Sequence, residues 1–253
     1  MIFERFLVPI YLPRPLYESM SKIKRTFVPP HARRGIDLSG DRDIEWSFIA
    51  SRIQAGPGDA LDFGCYSGNL SILAAQNGYR VLGVDLEPHR FPFQHSNVEF
   101  VCGDLIKLEL PPEKFDLILN CSTIEHVGLA GRYGIAVEET NGDLAVMRKL
   151  RVLMKLSGRM LLTLPCGQDA AIVPWHRVYG RERLPQLLDG YKIEEQHFWV
   201  KHNDNRWVQC DRERALSFVP TGHPTVPVYC SYALGCFVLR KEPAATSSLE
   251  SAS

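Results

Sequence analysis

The sequence predicts an α/β protein with a doubly wound, mostly parallel sheet of about seven strands, an antiparallel last strand and an N-terminal cap. Short apolar runs bounded by Gly, Pro or Asp alternate with segments whose apolar residues recur at helical spacing. Buried parallel strands have the first pattern, and the helices that cover them have the second. The runs assigned to parallel strands are one that ends in LDFG, then RVLGVDL, NVEFVCGD, FDLILNC and GRMLLTLP.

Helical segments lie before and between these runs. IEWSFIASRI precedes the first strand, and NLSILAAQNGY follows it with Asn77 and Gly78 as the stop signal. TNGDLAVMRKLRVLMKLSG carries apolar residues on one stripe, and its Thr140 and Asp143 fit an acidic variant of the capping box. Strands and helices in this order predict βαβ units with right-handed crossovers.

The ends of the chain differ from this pattern. YKIEEQHFWV and SYALGCFVLR predict two further strands, and no crossover helix adjoins the second, which indicates the antiparallel last strand. Several prolines and the basic clusters KIKR and HARR occur near the N-terminus. We therefore expect an arm or cap over residues 1–43, one domain with acceptor-pocket insertions over 44–241 and a disordered tail over 242–253.

Composition favours a small-molecule partner. Lys plus Arg (29) equals Asp plus Glu (29), so no net field steers the protein to nucleic acid or to an anionic membrane. The seven cysteines form no CxxC pair and no ligand-like spacing with histidines, so we expect a reducing cytoplasm and no metal. FLVPIYLP is short, is broken by prolines and predicts neither a signal peptide nor a membrane span.

Acidic residues and glycines mark the ends of three predicted strands. Asp62 is followed by Gly64 and Gly68 at the start of a helix, Asp85 ends the second strand, and Asp104 follows the third. Ligands of open parallel sheets bind beyond the carboxyl ends of the strands. Glycine lets the backbone approach a ligand closely, and the two later carboxylates suit ribose hydroxyls and an adenine amine.

A nicotinamide dinucleotide site is the nearest rival interpretation. Its fingerprint requires glycines where this chain has Tyr66 and Asn69. A pyrophosphate needs an open helix N-terminus, which Tyr66 would crowd. The glycine pattern therefore disfavours a dehydrogenase.

The span from Ala60 to Pro165 resembles the class I S-adenosylmethionine-dependent methyltransferases, which have a Rossmann-like fold. The resemblance implies that the glycine turn holds the methionine moiety, that Asp85 binds the ribose and that Asp104 reaches the adenine. Tyr66 stands where the family's usual middle glycine would be, so we expect a slightly altered turn. The cofactor residues that the resemblance implies are Asp62, Gly64, Tyr66, Gly68, Asp85, Leu86, Asp104, Leu105 and Asn120.

Three later segments, EHVGLAGRYG, GQDAAIVPWHRVYG and RLPQLLDGY, resemble a poorly characterised branch of methyltransferase-like proteins found near sugar and polysaccharide genes. This branch supplies no established acceptor. Loops after the fourth and fifth strands would nevertheless face the cofactor, because they leave the same edge of the sheet.

A histidine is the best-suited base if the acceptor is a hydroxyl, since its pKa lies near neutrality. His126 is the first choice and His176 the second, while Glu125 either orients a histidine or acts itself if burial raises its pKa. Each of them has a structural role as its alternative. The residues expected to bind the acceptor are Arg132, Tyr133, Arg177 and Tyr179, and the two arginines suit a carboxylate or phosphate.

We therefore expect a biosynthetic enzyme that transfers a methyl group to an oxygen or nitrogen of a small molecule, such as a sugar or natural-product intermediate, and releases S-adenosylhomocysteine. A homodimer is compatible with the sequence. A non-catalytic, S-adenosylmethionine-binding partner or regulatory subunit stays open as the alternative, because Tyr66 alters the turn. A cyclisation or other non-methylating reaction on the same scaffold is a third interpretation.

Overall fold

A computed structural model describes residues 41–88, 94–131, 133–201, 207–221 and 231–242. All of these residues belong to one compact unit. Most of the predicted N-terminal arm and of the predicted C-terminal tail lies outside the described residues, so both assignments stay predictions. None of the described helices is long and apolar enough to cross a membrane.

An eight-stranded sheet forms the centre of the protein. Its strands are β1 (Gly58–Phe63), β2 (Tyr79–Asp85), β3 (Val98–Cys102), β4 (Phe115–Cys121), β5 (Met154–Cys166), β8 (Tyr191–Lys201), β9 (Trp207–Cys210) and β10 (Ala233–Lys241), and a separate pair is formed by β6 (Ala170–Ile172) and β7 (His176–Val178). The order across the sheet is β3-β2-β1-β4-β5-β10-β8-β9. Strands β1 to β5 are parallel, whereas β10 is antiparallel to both of its neighbours.

The predicted α/β class and the antiparallel last strand are thus confirmed. The strand count was one too low, because β9 adds an edge strand antiparallel to β8. Strand β9 has only four residues, which is too short for an alternating pattern to stand out from a loop.

Five α-helices and one short 3-10 turn accompany the sheet. The helices are α1 (Arg42–Ala50), α2 (Asn69–Gln76), α3 (Gly142–Leu153), α4 (Arg183–Leu187) and α5 (Arg212–Leu216), and the 3-10 turn is Ile124–His126. The first three confirm the predicted helices. Described residues that connect β2 to β3 and β3 to β4 contain no helix, so alternation of strands and helices is less regular than predicted.

The capping box predicted for α3 is wrong. No side chain caps this helix, and Asp143 is fully buried. Its carboxylate accepts hydrogen bonds from the Tyr179 hydroxyl at 3.0 Å and from Arg183 Nε at 2.9 Å. A buried carboxylate needs such partners, and a distant arginine can supply a charged donor that the helix's own N–H groups cannot.

The strand register brings the ends of several strands to one edge of the sheet. Cys121, at the end of β4, pairs with Thr163 near the end of β5. Ala233, at the start of the antiparallel β10, pairs with Cys166 at the end of β5. The carboxyl ends of β1 to β5 and the amino end of β10 therefore share the edge where the sequence predicts a ligand.

Candidate active site

The turn between β1 and α2 depends on two glycines. Gly64 and Gly68 have φ angles of 74° and 72°, in the left-handed region that glycine occupies without steric cost. A Cβ atom on Gly64 would lie 2.2 Å from side-chain atoms of Thr123. The turn after β1 therefore packs closely against the segment after β4, as the predicted glycine requirement implies.

Tyr66 changes this turn but does not break it. Its φ angle is 43°, so it adopts a conformation that glycine would favour. The Tyr66 side chain is 67% exposed, and its backbone N–H donates to Asp85 Oδ2 at 2.9 Å. Asp85 Oδ1 also accepts from the Glu87 N–H at 3.2 Å. Asp85 is therefore held at the end of β2 by the glycine turn itself.

Asp62 links β1 to α2. Its carboxylate is buried and accepts a hydrogen bond from Ser71 Oγ at 2.6 Å. Burial raises the pKa of Asp62 to about 6, and the bond from Ser71 partly opposes this rise. The Asp62 side chain thus connects β1 to the helix that follows the glycine turn.

The remaining predicted cofactor residues follow the next strands. Asp104 Oδ1 accepts from the Ile106 N–H at 3.0 Å, and Leu105 is buried beside it, whereas Leu86 is exposed. Asn120 is fully buried at the end of β4, and neither polar atom of its amide has a hydrogen-bond partner among the described residues. A buried amide without partners is costly, which makes Asn120 a candidate to bind a polar group.

His126 and Glu125 lie next to each other in the 3-10 turn after β4. His126 Nδ1 contacts the Trp175 carbonyl oxygen, an acceptor, so this nitrogen carries the proton and donates. His126 Nε2 lies 3.8 Å from Glu125 Oε1, and the Tyr133 ring packs edge-on against the His126 ring at 5.8 Å. The structure therefore brings together three residues that the sequence selected.

Glu125 is 2% exposed, and its Oε2 has no hydrogen-bond partner among the described residues. Burial raises its pKa well above the usual range for a carboxyl group, and the neighbouring Glu45 adds to this rise. Burial therefore favours the protonated form of Glu125 in the ligand-free protein.

His176 is buried at the start of β7. Its ring packs edge-on against the Tyr232 ring with 5.0 Å between centroids. The Tyr232 hydroxyl donates to Asp41 Oδ2 at 2.6 Å. The second histidine candidate thus lies on the β10 side of the edge.

Arg177 and Tyr179 occupy structural positions. Arg177 is buried and donates to the backbone carbonyls of Val127 and Glu139. The Tyr179 hydroxyl donates to Asp143. Their placement supports the loop after β4 and gives no support to direct contact with an acceptor. Arg132, the other arginine predicted to bind the acceptor, lies outside the described residues.

Glu45, in α1, is a residue that sequence analysis missed. It is fully buried and accepts hydrogen bonds from Ser122 Oγ, from Thr163 Oγ1 at 2.8 Å and from Arg42 Nη1 at 2.8 Å. Burial and the neighbouring Asp41 raise the pKa of Glu45 to about 7, although Arg42 and the two hydroxyls oppose the rise. The signal was its spacing, because Glu45 lies on the buried stripe of α1 with Phe48 and Ile49.

No group of three or more His, Cys, Asp or Glu side chains among the described residues is arranged to hold a metal ion. The described edge instead has two halves. The part after β1 to β3, with the glycine turn, is called the cofactor half because the sequence predicts the cofactor there. The part after β4, β5 and β7 and before β10 is called the acceptor half because the sequence predicts the acceptor there.

Known proteins share this fold. The chain is 27% identical over 143 residues to a probable S-adenosylmethionine-dependent methyltransferase of Mycolicibacterium smegmatis, and the match covers 54% of this chain and 53% of that protein. The chain thus spans about half the length of this curated relative. The name of this relative agrees with the predicted class I resemblance.

Two solved methyltransferases superpose with similar scores. The 1,6-didemethyltoxoflavin-N1-methyltransferase of Burkholderia thailandensis, with bound S-adenosylhomocysteine, has a TM-score of 0.51 and 16% identity over 93% of this chain and 94% of that one. The N-methyltransferase NodS of Bradyrhizobium japonicum WM9, in complex with S-adenosylhomocysteine, has a TM-score of 0.53 and 14% identity, and the match covers 90% of this chain and 98% of that one.

The cyclase SpnF reaches a TM-score of 0.53 at 16% identity, over 78% of this chain and 80% of that one. These solved structures confirm the predicted Rossmann-like fold. A family model described as "Caenorhabditis protein of unknown function, DUF268" matches residues 72–212, which is more than half of the sequence. The chain therefore belongs to the DUF268 family.

Proposed function

We propose that this protein is an S-adenosylmethionine-dependent methyltransferase that transfers a methyl group to an oxygen or nitrogen of a small molecule, such as a biosynthetic sugar or natural-product intermediate. The observation that carries this proposal is the hydrogen bond from Tyr66 N–H to Asp85, which joins the glycine turn to the acid after β2. The name of the curated relative supports the same activity. A cytoplasmic location, a homodimer and the closer branch resemblance stay predictions.

The described residues of the cofactor half fit S-adenosylmethionine. Gly64 and Gly68 carry no side chains, so a ligand can approach the backbone closely at these two positions of the turn. Asp85 offers acceptors to ribose hydroxyls, and Asp104 offers one to the adenine amine. Asn120 suits the polar methionine end, because its buried amide lacks partners among the described residues. When bound, the cofactor supplies a methyl group activated by a sulfonium.

The acceptor half supplies the groups that position the acceptor and take its proton. His126 is oriented by the Trp175 carbonyl, and its Nε2 faces the Glu125 carboxyl. This geometry favours the pair of His126 and Glu125 over His176 as the proton acceptor. Positioning of the two reactants would provide most of the acceleration, and proton removal would add about a hundred- to ten-thousandfold.

Isothermal titration with S-adenosylmethionine and S-adenosylhomocysteine tests the cofactor assignment. We expect micromolar binding by the wild type and an affinity about ten- to a hundredfold lower for Asp85→Asn, because hydrogen bonds to a charged carboxylate are lost. Asp59→Asn is the matched control. It removes a surface ion pair with Arg80 near the start of β1 and should leave the affinity unchanged.

Failure of the folded wild type to bind either ligand would refute the cofactor assignment. Binding without consumption of S-adenosylmethionine, across amine and alcohol acceptors, would support the non-catalytic subunit instead. Urea unfolding of each variant checks that a loss of affinity is not a loss of fold.

A further inference from the structure

Three carboxyl groups and one guanidinium surround the acceptor half of the sheet edge. This acidic cluster consists of Asp41, Glu45 and Glu125, together with Arg42. All three carboxyl residues are buried, and Arg42 Nη1 bonds to Glu45 Oε2 at 2.8 Å. The guanidinium can balance one carboxylate, so the other two carboxyls have no cation of their own within the cluster.

Glu125 is the member of the cluster with an oxygen atom that lacks a hydrogen-bond partner among the described residues. Asp41 receives the Tyr232 hydroxyl, and Glu45 receives two hydroxyls and Arg42. Glu125 Oε2 has no hydrogen-bond partner in the part of the chain that the structure describes. A buried carboxyl oxygen without a donor is costly, so a group with an N–H or O–H bond that reaches it would bind there.

The cluster disfavours an anionic acceptor. Arg177, which the sequence offered to a carboxylate or phosphate, already donates to two backbone carbonyls and lies 4.0 Å from Asp143. Arg42 is bound to Glu45. A carboxylate brought to this cluster would therefore add a negative charge to a group in which carboxyls already outnumber guanidinium groups.

We infer that the methyl acceptor is a primary or secondary amine whose N–H group binds Glu125 Oε2; the inference rests on the proposed function of the same site. An alcohol could donate a hydrogen bond to this oxygen, but it would leave the charge of the cluster unchanged. An ammonium group supplies both the donor and the positive charge that the cluster lacks.

The chemistry of nitrogen methylation fits the same charge distribution. Glu125 carboxylate first takes one proton from the bound ammonium, which leaves a neutral amine and a protonated Glu125. The nitrogen lone pair then forms the new bond to the methyl carbon as the bond from that carbon to sulfur breaks, and the sulfur keeps the electron pair. The positive charge moves from sulfur to nitrogen, towards the acidic cluster, which stabilises it there.

Proton release gives a signature of amine binding that does not depend on turnover. Burial raises the pKa of Glu125 and so favours its protonated form, whereas a bound ammonium favours its ionised form. The titratable or charged groups around it are Asp41 before α1, Arg42 and Glu45 of α1, His126 of the 3-10 turn, Cys166 of β5, Tyr179 after β7 and Tyr232 before β10, and His176 packs on Tyr232.

The test titrates the protein, loaded with S-adenosylhomocysteine, with three matched pairs of probes. The pairs are ethanolamine and ethylene glycol, glucosamine and glucose, and benzylamine and benzyl alcohol. We expect at least one amine to bind more tightly than its alcohol, with release of about one proton per amine bound in buffers of different ionisation enthalpy.

Glu125→Gln keeps the size of the side chain and removes its ionisable group, and urea unfolding checks that the variant folds. It should lower the amine affinity about ten- to a hundredfold and abolish the proton release. Glu138→Gln, on an exposed residue of the loop after β4, is the matched control and should change neither quantity. Mass spectrometry with S-adenosylmethionine then checks that the methyl group is on nitrogen.

Several results would overturn the amine assignment. The first is that alcohols bind or react as well as the matched amines, and the second is that amines bind without proton release. The third is that Glu125→Gln has the amine affinity and proton release of the wild type. The fourth is that a protein that binds S-adenosylhomocysteine binds none of the amines. Failure of S-adenosylhomocysteine to bind would instead refute the proposed function, and the same amine titration on the ligand-free protein would still test the acidic cluster.

Discussion

Gly64 is the position where the structure makes the sharpest prediction about stability. An alanine there must adopt a φ angle of 74°, which costs about 1–2 kcal/mol for a residue with a Cβ. Its Cβ would also lie 2.2 Å from two side-chain atoms of Thr123, and an overpacked contact of this kind costs about 1–3 kcal/mol. We expect Gly64→Ala to lower the free energy of unfolding by about 2–5 kcal/mol.

Gly134→Ala is the matched control for the cost of placing an alanine at a positive φ angle. Gly134 has a φ angle of 73°, and nothing lies within 4 Å of the position of its Cβ. Replacing glycine by alanine changes the entropy of the unfolded chain equally in the two variants. The difference between their unfolding free energies, measured with urea, therefore reports the contact with Thr123. A double-mutant cycle with Thr123→Gly should return about 1–3 kcal/mol of this difference as coupling energy.

Equal losses of unfolding free energy in Gly64→Ala and Gly134→Ala would contradict this prediction. That result would mean that the turn after β1 and the segment after β4 can separate at little cost. A coupling energy near zero in the cycle with Thr123→Gly would contradict the predicted contact in the same way.

Two further predictions concern buried carboxyl groups. The folded pKa of Asp62, about 6, lies above its ordinary value, so its stabilising contribution is present below about pH 4 and lost as the pH rises through 6. Relative to Asp62→Asn, the wild type should therefore lose up to about 3 kcal/mol of unfolding free energy between about pH 4 and 7. Urea unfolding of both proteins across this pH range measures the loss. Parallel pH profiles of the two unfolding free energies would contradict the prediction. Asp143→Asn should cost about 3–5 kcal/mol, because it leaves the Arg183 guanidinium without its buried partner. Glu213→Gln breaks an exposed pair with Arg181 and should cost less than about 1 kcal/mol, so equal melting curves for these two variants would exclude a buried ion pair at Asp143.

Sequence reasoning performed best where a local pattern alone decides the structure. The glycine turn and the continuous apolar strands were predictable, because left-handed backbone and two-sided burial leave direct marks on the sequence. Asp143 shows the opposite case. Its position at the start of a helix suggested a cap, but its partners Tyr179 and Arg183 are far away in the chain and meet it only in the folded protein.

The acceptor half was predictable only in part. His126 and Glu125 follow the fourth strand, so their location at the sheet edge could be inferred from the order of the strands. Glu45 could not be assigned to the same group, because α1 reaches the edge from an earlier part of the chain and contacts Ser122 and Thr163 across it.

The sequence alone was sufficient to predict the α/β class, the parallel strands, the antiparallel last strand, Asp62 near the end of β1 and Asp85 at the end of β2. These features arise from hydrophobic periodicity and backbone conformation, which act between neighbours in the chain. Which polar groups are buried, and which partners they have, followed from the folded structure. It assigned Arg177 to backbone carbonyls and placed Glu45 near Glu125, since burial and charge pairing depend on residues brought together from distant segments.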